Sequence, residues 1–104
     1  MLTIKVYGVA KRDPLRSDWA LRDQMCRASI SVMANIAEGF GRKGKVEFSR
    51  FLTIAKASCA ELQSHLYIAL DLGYVDQDQF KQMFTLATRT ELLIAGMIRH
   101  LQIP

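Results

Sequence analysis

The chain has 104 residues, of which 50% are hydrophobic and 23% are charged. A chain of this length holds one hydrophobic core and is too short for two ordinary domains, so we expect a single domain over residues 1–104. It contains no run of about 18 apolar residues and no signal-peptide pattern, which argues against a membrane protein and predicts a cytoplasmic one. Because Cys26 and Cys59 lack C-x-x-C spacing, we expect buried, reduced thiols rather than a disulfide or a zinc site.

The formal net charge of +4 is distributed unevenly along the chain. Residues 1–56 hold eleven Lys and Arg against five Asp and Glu, whereas residues 57–104 hold three against five. This asymmetry predicts that the first half builds a surface facing a polyanion. Six cations without an obvious local partner are the candidate nucleic-acid-binding residues: Lys11, Arg12, Arg16, Arg42, Lys43 and Lys45. The alternative is that they belong to solvated helix faces.

The first two predicted elements are helices separated by a proline turn. The first covers Met1 to about Lys11 and is short, because Asp13-Pro14 breaks the helix. The second begins near Ser17 and ends at a glycine-rich, basic connection. Its apolar residues recur with a helical period: Leu21, Met25, Ala28, Val32 and Ile36. A second apolar face needs another partner and consists of Ile30, Ala34 and Ala37.

Two longer helices follow. The third is predicted from about Lys45 to Leu72, with Gly73 ending it and Asp76 capping the next helix. The fourth covers about Gln77 to Leu101. Its expected inward residues are Phe80, Met83, Ala87, Leu93, Met97 and Leu101, and its second apolar face is Phe84, Ile94 and Ile98. No strand alternation occurs, so we predict an all-α, up-and-down antiparallel bundle of the four-helix type with a shortened first helix.

Two patterns suggest chemistry, and neither is sufficient. Gly39-x-Gly41-x-x-Gly44 matches a dinucleotide-binding pattern, but it follows a helix rather than a strand. The same turn either presents backbone amides to an RNA phosphate or serves only as a connection. Glu61 and His65 have metal-compatible spacing, but two ligands from one helix do not make a site. We therefore expect no catalytic residue, no metal and no cofactor, and hence no enzyme.

Other polar and aromatic residues receive structural interpretations. Four polar residues are expected to form a buried network that fixes the helix register, in preference to a functional pocket: Asn35, Glu38, Arg50 and Glu61. Four aromatic residues are not interleaved with the cations, so we assign them to the core or to an interface rather than to base stacking: Tyr7, Trp19, Tyr67 and Tyr74.

A set of residues in register from about Leu21 to Leu101 resembles a known family. The matching positions are Ser31, Ala34-Asn-Ile-Ala-Glu-Gly-Phe-Gly-Arg42, Glu47-Phe48, Arg50-Phe-Leu52, Ala55, Glu61-Leu62, Asp71-Leu-Gly-Tyr74 and Gly96. The pattern is similar to that of the four-helix bundle proteins known as 23S rRNA intervening-sequence proteins, a group that includes accessory variability proteins of retroelements. The chain departs from it with Met33 in place of proline, Cys26 in place of arginine, and a short first helix.

The resemblance implies a ring-like homo-oligomer, with the pentamer as the expected form. Together with the basic first half, it predicts a non-enzymatic protein that binds RNA mainly through phosphates. The alternative is a protein-interaction scaffold that docks an RNA-processing factor or a reverse transcriptase. The salt dependence of binding distinguishes the two functions, because salt weakens phosphate contacts steeply and an apolar interface much less.

Overall fold

Residues 1–101 form a helical bundle in the computed structural model, and the structure describes these residues. Four α-helices run up and down in chain order: α1 (Leu2–Ala10), α2 (Trp19–Phe40), α3 (Lys45–Asp71) and α4 (Gln77–Leu101). A single 3-10 turn, Leu15–Ser17, lies between α1 and α2. The bundle measures 48 × 20 × 18 Å, and the described residues contain no strand. The all-α prediction is confirmed, including a first helix much shorter than the others.

Local signals in the sequence determine where the helices begin and end. The Asp18 side chain accepts a hydrogen bond from the Leu21 amide at 3.2 Å and thereby caps α2. At the start of α4, Asp76 accepts from the Gln79 amide at 2.7 Å, and the Gln79 side chain accepts from the Asp76 amide at 2.9 Å. This reciprocal pair is a capping box. Gly73, with φ of +75°, follows α3 in the left-handed conformation that favours glycine.

The larger part of the core lies where α1 packs against α2 and α4. The Thr3 hydroxyl donates to the Ser29 carbonyl at 3.3 Å, and the Lys5 ammonium donates to the Gln82 side chain at 3.1 Å. These contacts place α1 beside the first half of each long partner. The buried residues of this larger cluster are Leu2, Val6, Ala10, Leu15, Leu21, Met25, Ala28, Leu62, Leu66, Ala69, Val75, Met83 and Ala87.

A smaller cluster lies beyond α1, where only α2, α3 and α4 pack together. It consists of Val32, Leu52, Ala55, Cys59 and Ile94. The prediction that Leu93 points inward is wrong, because Leu93 is 70% exposed and Ile94 is 1% exposed. Ile94 follows buried Ala87 by seven residues, close to two helical turns of about 3.6 residues, so the two share a face.

The second apolar faces are therefore only partly as predicted. On α2, Ile30, Ala34 and Ala37 are exposed, as expected. On α4, the exposed apolar pair is Leu92 and Leu93 instead of the predicted set. Within residues 1–101, no helix combines the length and apolar character that crossing a membrane requires.

Candidate nucleic-acid interface

The up-and-down topology separates the candidate cations into two groups at the two ends of the bundle. Leu101, the last residue of α4, lines a groove with Lys45 at the start of α3. At the other end, the Tyr74 hydroxyl donates to the Asp18 carboxylate at 3.0 Å. This bond joins the connection between α3 and α4 to the connection between α1 and α2. The 22 residues of α2 separate the two ends by about 33 Å, at about 1.5 Å of rise per residue. We define a basic end, residues 38–50 and 96–101, and an opposite end, residues 11–23 and 71–81.

The two ends differ in charge. The basic end holds five cations against two carboxylates: Arg42, Lys43, Lys45, Arg50 and Arg99 against Glu38 and Glu47. The opposite end holds five cations against six carboxylates: Lys11, Arg12, Arg16, Arg22 and Lys81 against Asp13, Asp18, Asp23, Asp71, Asp76 and Asp78. Like charges that are clustered attract a polyanion more strongly than charges interspersed with the opposite sign. The electrostatic footprint therefore favours the basic end.

Two of the six candidate cations have partners, contrary to expectation. The Arg16 guanidinium lies 2.8 Å from the Asp13 carboxylate, and both side chains are exposed. A hydrogen bond from Ser17, followed by the Arg16 charge, lowers the pKa of Asp13 from its usual value against the effect of desolvation. The Arg42 guanidinium lies 2.6 Å from Glu38 and stands 5.1 Å above the Phe51 ring centre. Helical spacing of three or four residues brings each pair together.

The remaining four cations form no ion pair within the described chain. Lys11 and Arg12 lie just after α1, and Lys43 and Lys45 flank the start of α3. Lys43 and Lys45 are exposed and sit at the end with excess positive charge. They are therefore the cations of the glycine-rich connection best placed to contact a phosphate.

The start of α3 differs from those of the other two long helices. Side-chain oxygens of Asp18 and Asp76 cap α2 and α4, whereas α3 begins at Gly44, which has no side-chain cap. The backbone of Gly44 has φ of +92°, a conformation that favours glycine. The first amides of a helix lack intrahelical partners, and they favour anions. Glu47 in this first turn opposes that effect, but it lies 3.2 Å from the Arg50 guanidinium.

A pair of aromatic rings also lies at the basic end. The ring of Phe40, the last residue of α2, lies 4.9 Å from the Phe48 ring on α3, with the planes tilted by 46°. A Cβ atom at Gly39 would lie 2.8 Å from the Phe48 ring, so glycine at that position permits the close approach of α3. Phe40 is nevertheless 65% exposed. The sequence pattern conceals this exposure, because Phe40 follows Ile36 by four residues and continues its apolar stripe.

The expected polar network does not form among the described residues of the chain. Its predicted members are Asn35, Glu38, Arg50 and Glu61. Glu38 pairs with Arg42 instead, and Arg50 pairs with Glu47 while remaining 73% exposed. Each partner lies three or four residues away on or just beyond the same helix, where it is reached without crossing the bundle. An exposed pair of this kind contributes at most about 1 kcal/mol. A contact of Arg50 with another subunit stays a prediction.

A different polar group occupies the interface between α2 and α3. The Asn35 amide donates to the Ser31 carbonyl at 2.8 Å and to the Ser31 hydroxyl at 3.0 Å. The hydroxyls of Ser31 and Ser58 lie 2.8 Å apart and link the two helices. Glu61 lies 3.6 Å from the His65 ring on its own helix. Asn35 therefore helps to fix the pairing of α2 with α3, but through serines rather than through charges.

The thiols and possible metal ligands complete the inventory. Within residues 1–101, no three His, Cys, Asp or Glu side chains converge to hold a metal ion. Both cysteines are free. Desolvation by burial raises the pKa of Cys59 to about 11. A nucleophilic cysteine needs the opposite shift, so Cys59 acts as a small core residue.

Comparisons with known proteins agree with this architecture. A family model described as 23S rRNA-intervening sequence protein matches residues 1–96. Among solved structures, the chain is similar to a protein of unknown function from the S23 ribosomal protein family of Bacteroides thetaiotaomicron. The TM-score is 0.79 at 20% identity, covering 94% of this chain and 98% of that one, and a likeness at this identity concerns the fold. Comparison with curated proteins gives no match.

Proposed function

Because this chain belongs to the 23S rRNA-intervening sequence protein family, we propose that it is a non-enzymatic, cytoplasmic homo-oligomer that binds RNA. The resemblance noted from the sequence is confirmed at the level of family and fold. RNA binding, assembly and location are the proposal. RNA binding is proposed from charge and assembly from exposed apolar residues, whereas the cytoplasmic location is the expectation from the sequence.

The observation that carries the proposal is the excess of positive charge at the basic end. Lys43 and Lys45 have no ion-pair partner in the described chain and flank the uncapped start of α3. Ammonium groups and backbone amides thus act on the same phosphate. Phosphate contacts carry little sequence information, so we propose binding that depends on charge and shape. In an oligomer every subunit repeats the site, and weak contacts add through multivalency.

Exposed apolar residues support assembly. Leu92 and Leu93 on α4 border a shallow apolar groove with Phe48, Gly96 and Met97. A second exposed apolar face lies on α2 and consists of Ile30, Ala34 and Ala37. Two separate apolar faces on one subunit suit a ring, in which each subunit contacts two neighbours. We propose a pentamer, the form implied by the family resemblance.

The same apolar faces favour one alternative, a scaffold for an RNA-processing factor or a reverse transcriptase. In that case a protein partner covers Leu92 and Leu93. Its binding depends weakly on salt, because apolar contacts are not screened by ions. RNA binding through phosphates depends steeply on salt.

The test is a salt titration of RNA binding, read by fluorescence anisotropy. The wild type should lose affinity as a power law of salt concentration, with each phosphate contact adding about 0.7–0.9 to the slope. A triple variant, Arg42→Ala with Lys43→Ala and Lys45→Ala, should reduce the magnitude of that slope by about 2. The matched control removes Lys11, Arg12 and Arg16 at the opposite end and should change the slope less.

Light scattering on the same samples tests assembly. The wild type and both triple variants should have the same mass, well above two chains of 11.8 kDa each. A mass near 11.8 kDa contradicts the oligomer. Unchanged affinity and salt slope in the Arg42, Lys43 and Lys45 variant contradict the assignment of the basic end.

A further inference from the structure

The exposed ring of Phe40 sits among the cations of the basic end. It is fixed in place because Phe48 supports it from the side of α3, at 4.9 Å between ring centres. Lys43 follows three residues later, so its Cα lies within about 11 Å of that of Phe40, at no more than about 3.6 Å per residue. A pre-positioned apolar ring and unpaired ammonium groups therefore share one small surface.

The chemistry of this surface matches unpaired nucleotides. An exposed aromatic ring stacks on the face of any base, while nearby cations hold the backbone phosphates. In an RNA duplex the base faces are covered by their neighbours, and only phosphates, sugars and groove edges are accessible. A ring beside cations thus has a use on single strands, loops or bulges that it lacks on a duplex.

We propose that the basic end recognises unpaired nucleotides, with Phe40 stacking on one base and Lys43 and Lys45 contacting adjacent phosphates. This proposal rests on the RNA-binding function proposed above and adds the class of RNA. Gly39 contributes indirectly, since its missing side chain lets the Phe48 ring approach α2 and support Phe40.

Other exposed aromatic residues lack this combination. Tyr7 is 37% exposed and shares a groove with Lys11, but Lys11 belongs to the opposite end, where carboxylates outnumber cations. Trp19 is 71% exposed, but it lies beside Asp18 at the opposite end, where six carboxylates outnumber five cations. Tyr67 packs against the rings of Phe80 and Phe84, at 5.2 and 5.3 Å between centres. Phe40 is therefore the exposed ring that lies at the end with excess positive charge. Trp19, an exposed ring at the opposite end, serves as the matched control.

The experiment compares a labelled single-stranded oligouridine with an RNA duplex of the same length, by anisotropy over a series of salt concentrations. The wild type should bind the single strand more tightly than the duplex. Phe40→Leu keeps an apolar side chain but removes the ring, and should weaken single-strand binding by about fivefold or more. It should weaken duplex binding by less than about twofold and leave both salt slopes unchanged, because stacking releases no counterions.

Two further variants make the result specific. Phe40→Trp restores a ring and should recover single-strand affinity, whereas Trp19→Leu should change neither affinity. Equal losses on both RNAs, no loss in Phe40→Leu, or a changed oligomer mass in that variant would overturn the stacking proposal. If RNA binding depends on salt but does not change in Phe40→Leu, the stacking proposal is contradicted and the proposed RNA-binding function is not. If the wild type binds neither RNA, both the stacking proposal and the proposed function are contradicted.

Discussion

The half of the bundle that contains α1 and the half that contains the basic end are built from the same three long helices and differ in what covers them. In the first half, α1 closes the core and thirteen buried residues form one cluster. In the second half, three helices enclose a hydrophobic cluster of five buried residues. The two halves also differ in charge, because the opposite end holds five cations against six carboxylates and the basic end holds five against two.

This difference separates the residues that stabilise the fold from those that we propose to bind RNA. Charge neutralisation, two side-chain helix caps and the larger core coincide at one end. An uncapped helix start, an exposed ring and excess cations coincide at the other. A binding surface needs groups whose interactions are not already satisfied, and the second half supplies them.

The largest expected effect compares the two cores. Leu66, in the larger cluster, and Leu52, in the smaller one, are both fully buried. We expect Leu66→Ala to lower the free energy of unfolding by about 3–5 kcal/mol and Leu52→Ala by about 2–3 kcal/mol, because the open half can collapse around the cavity. Chemical denaturation followed by circular dichroism measures both.

Both variants are measured at the same protein concentration, since the stability of the proposed oligomer would depend on it. Leu72→Ala is the control, because Leu72 is exposed and should change stability by less than about 0.5 kcal/mol. If Leu52→Ala lowers the free energy of unfolding more than Leu66→Ala does, the second half contains the more rigid core.

The next effect uses two helical glycines in different surroundings. At Gly39 a Cβ would lie 2.8 Å from the Phe48 ring, whereas at Gly96 its nearest neighbour would be the flexible Arg99 guanidinium at 3.7 Å. Gly39→Ala should therefore cost about 1–3 kcal/mol through displacement of the ring. Gly96→Ala should gain up to about 1 kcal/mol, because alanine has the higher helix propensity.

Thermal melting of both variants tests this, because the melting temperature should fall for Gly39→Ala and rise for Gly96→Ala. If Gly39→Ala melts higher than the wild type, the Phe48 ring moves aside freely and does not hold Phe40 in place. If Gly96→Ala melts lower, the added methyl group costs more than the helix propensity gains, as expected if a neighbouring subunit of the proposed oligomer packs on the groove of Leu92 and Leu93.

The helix boundaries were accessible from the sequence because local chemistry sets them. Pro14, the glycines before Lys45, and the Gly73 and Asp76 pair each act within a few residues of their position. The orientation of α4 was less accessible. Leu92, Leu93 and Ile94 are consecutive apolar residues, and helical periodicity alone does not identify which one faces the core.

The candidate site was predictable in composition but not in detail. Clustering of cations is visible in the sequence, and the folded chain separates them into a neutralised set and an unpaired set. Whether Arg50 reaches Glu38 across the turn or Glu47 on its own helix depends on side-chain positions, which no sequence pattern specifies. The exposure of Phe40 depends on α1 lying beside the other half of α2, which is a property of the tertiary structure.

The smallest expected effect concerns pH at the opposite end. The Tyr74 hydroxyl donates to Asp18, and this hydrogen bond, with desolvation and the Asp18 charge, raises the pKa of Tyr74 above its ordinary value of 10.0. The folded protein thus holds the phenolic proton more tightly than the unfolded chain does. The resulting stabilisation is complete below a pH of about 10 and is lost as the pH rises through the raised pKa.

Tyr74→Phe should therefore reduce the loss of melting temperature between about pH 9 and about pH 11, relative to the wild type. Tyr67→Phe serves as the control, because Tyr67 packs against Phe80 and Phe84 instead of donating to Asp18. The contact is only partly buried, so the difference should be small, and it should not affect the RNA binding that we propose for the distant basic end. An alkaline melting profile identical to the wild type would mean that the bond between Tyr74 and Asp18 does not help to hold the opposite end together.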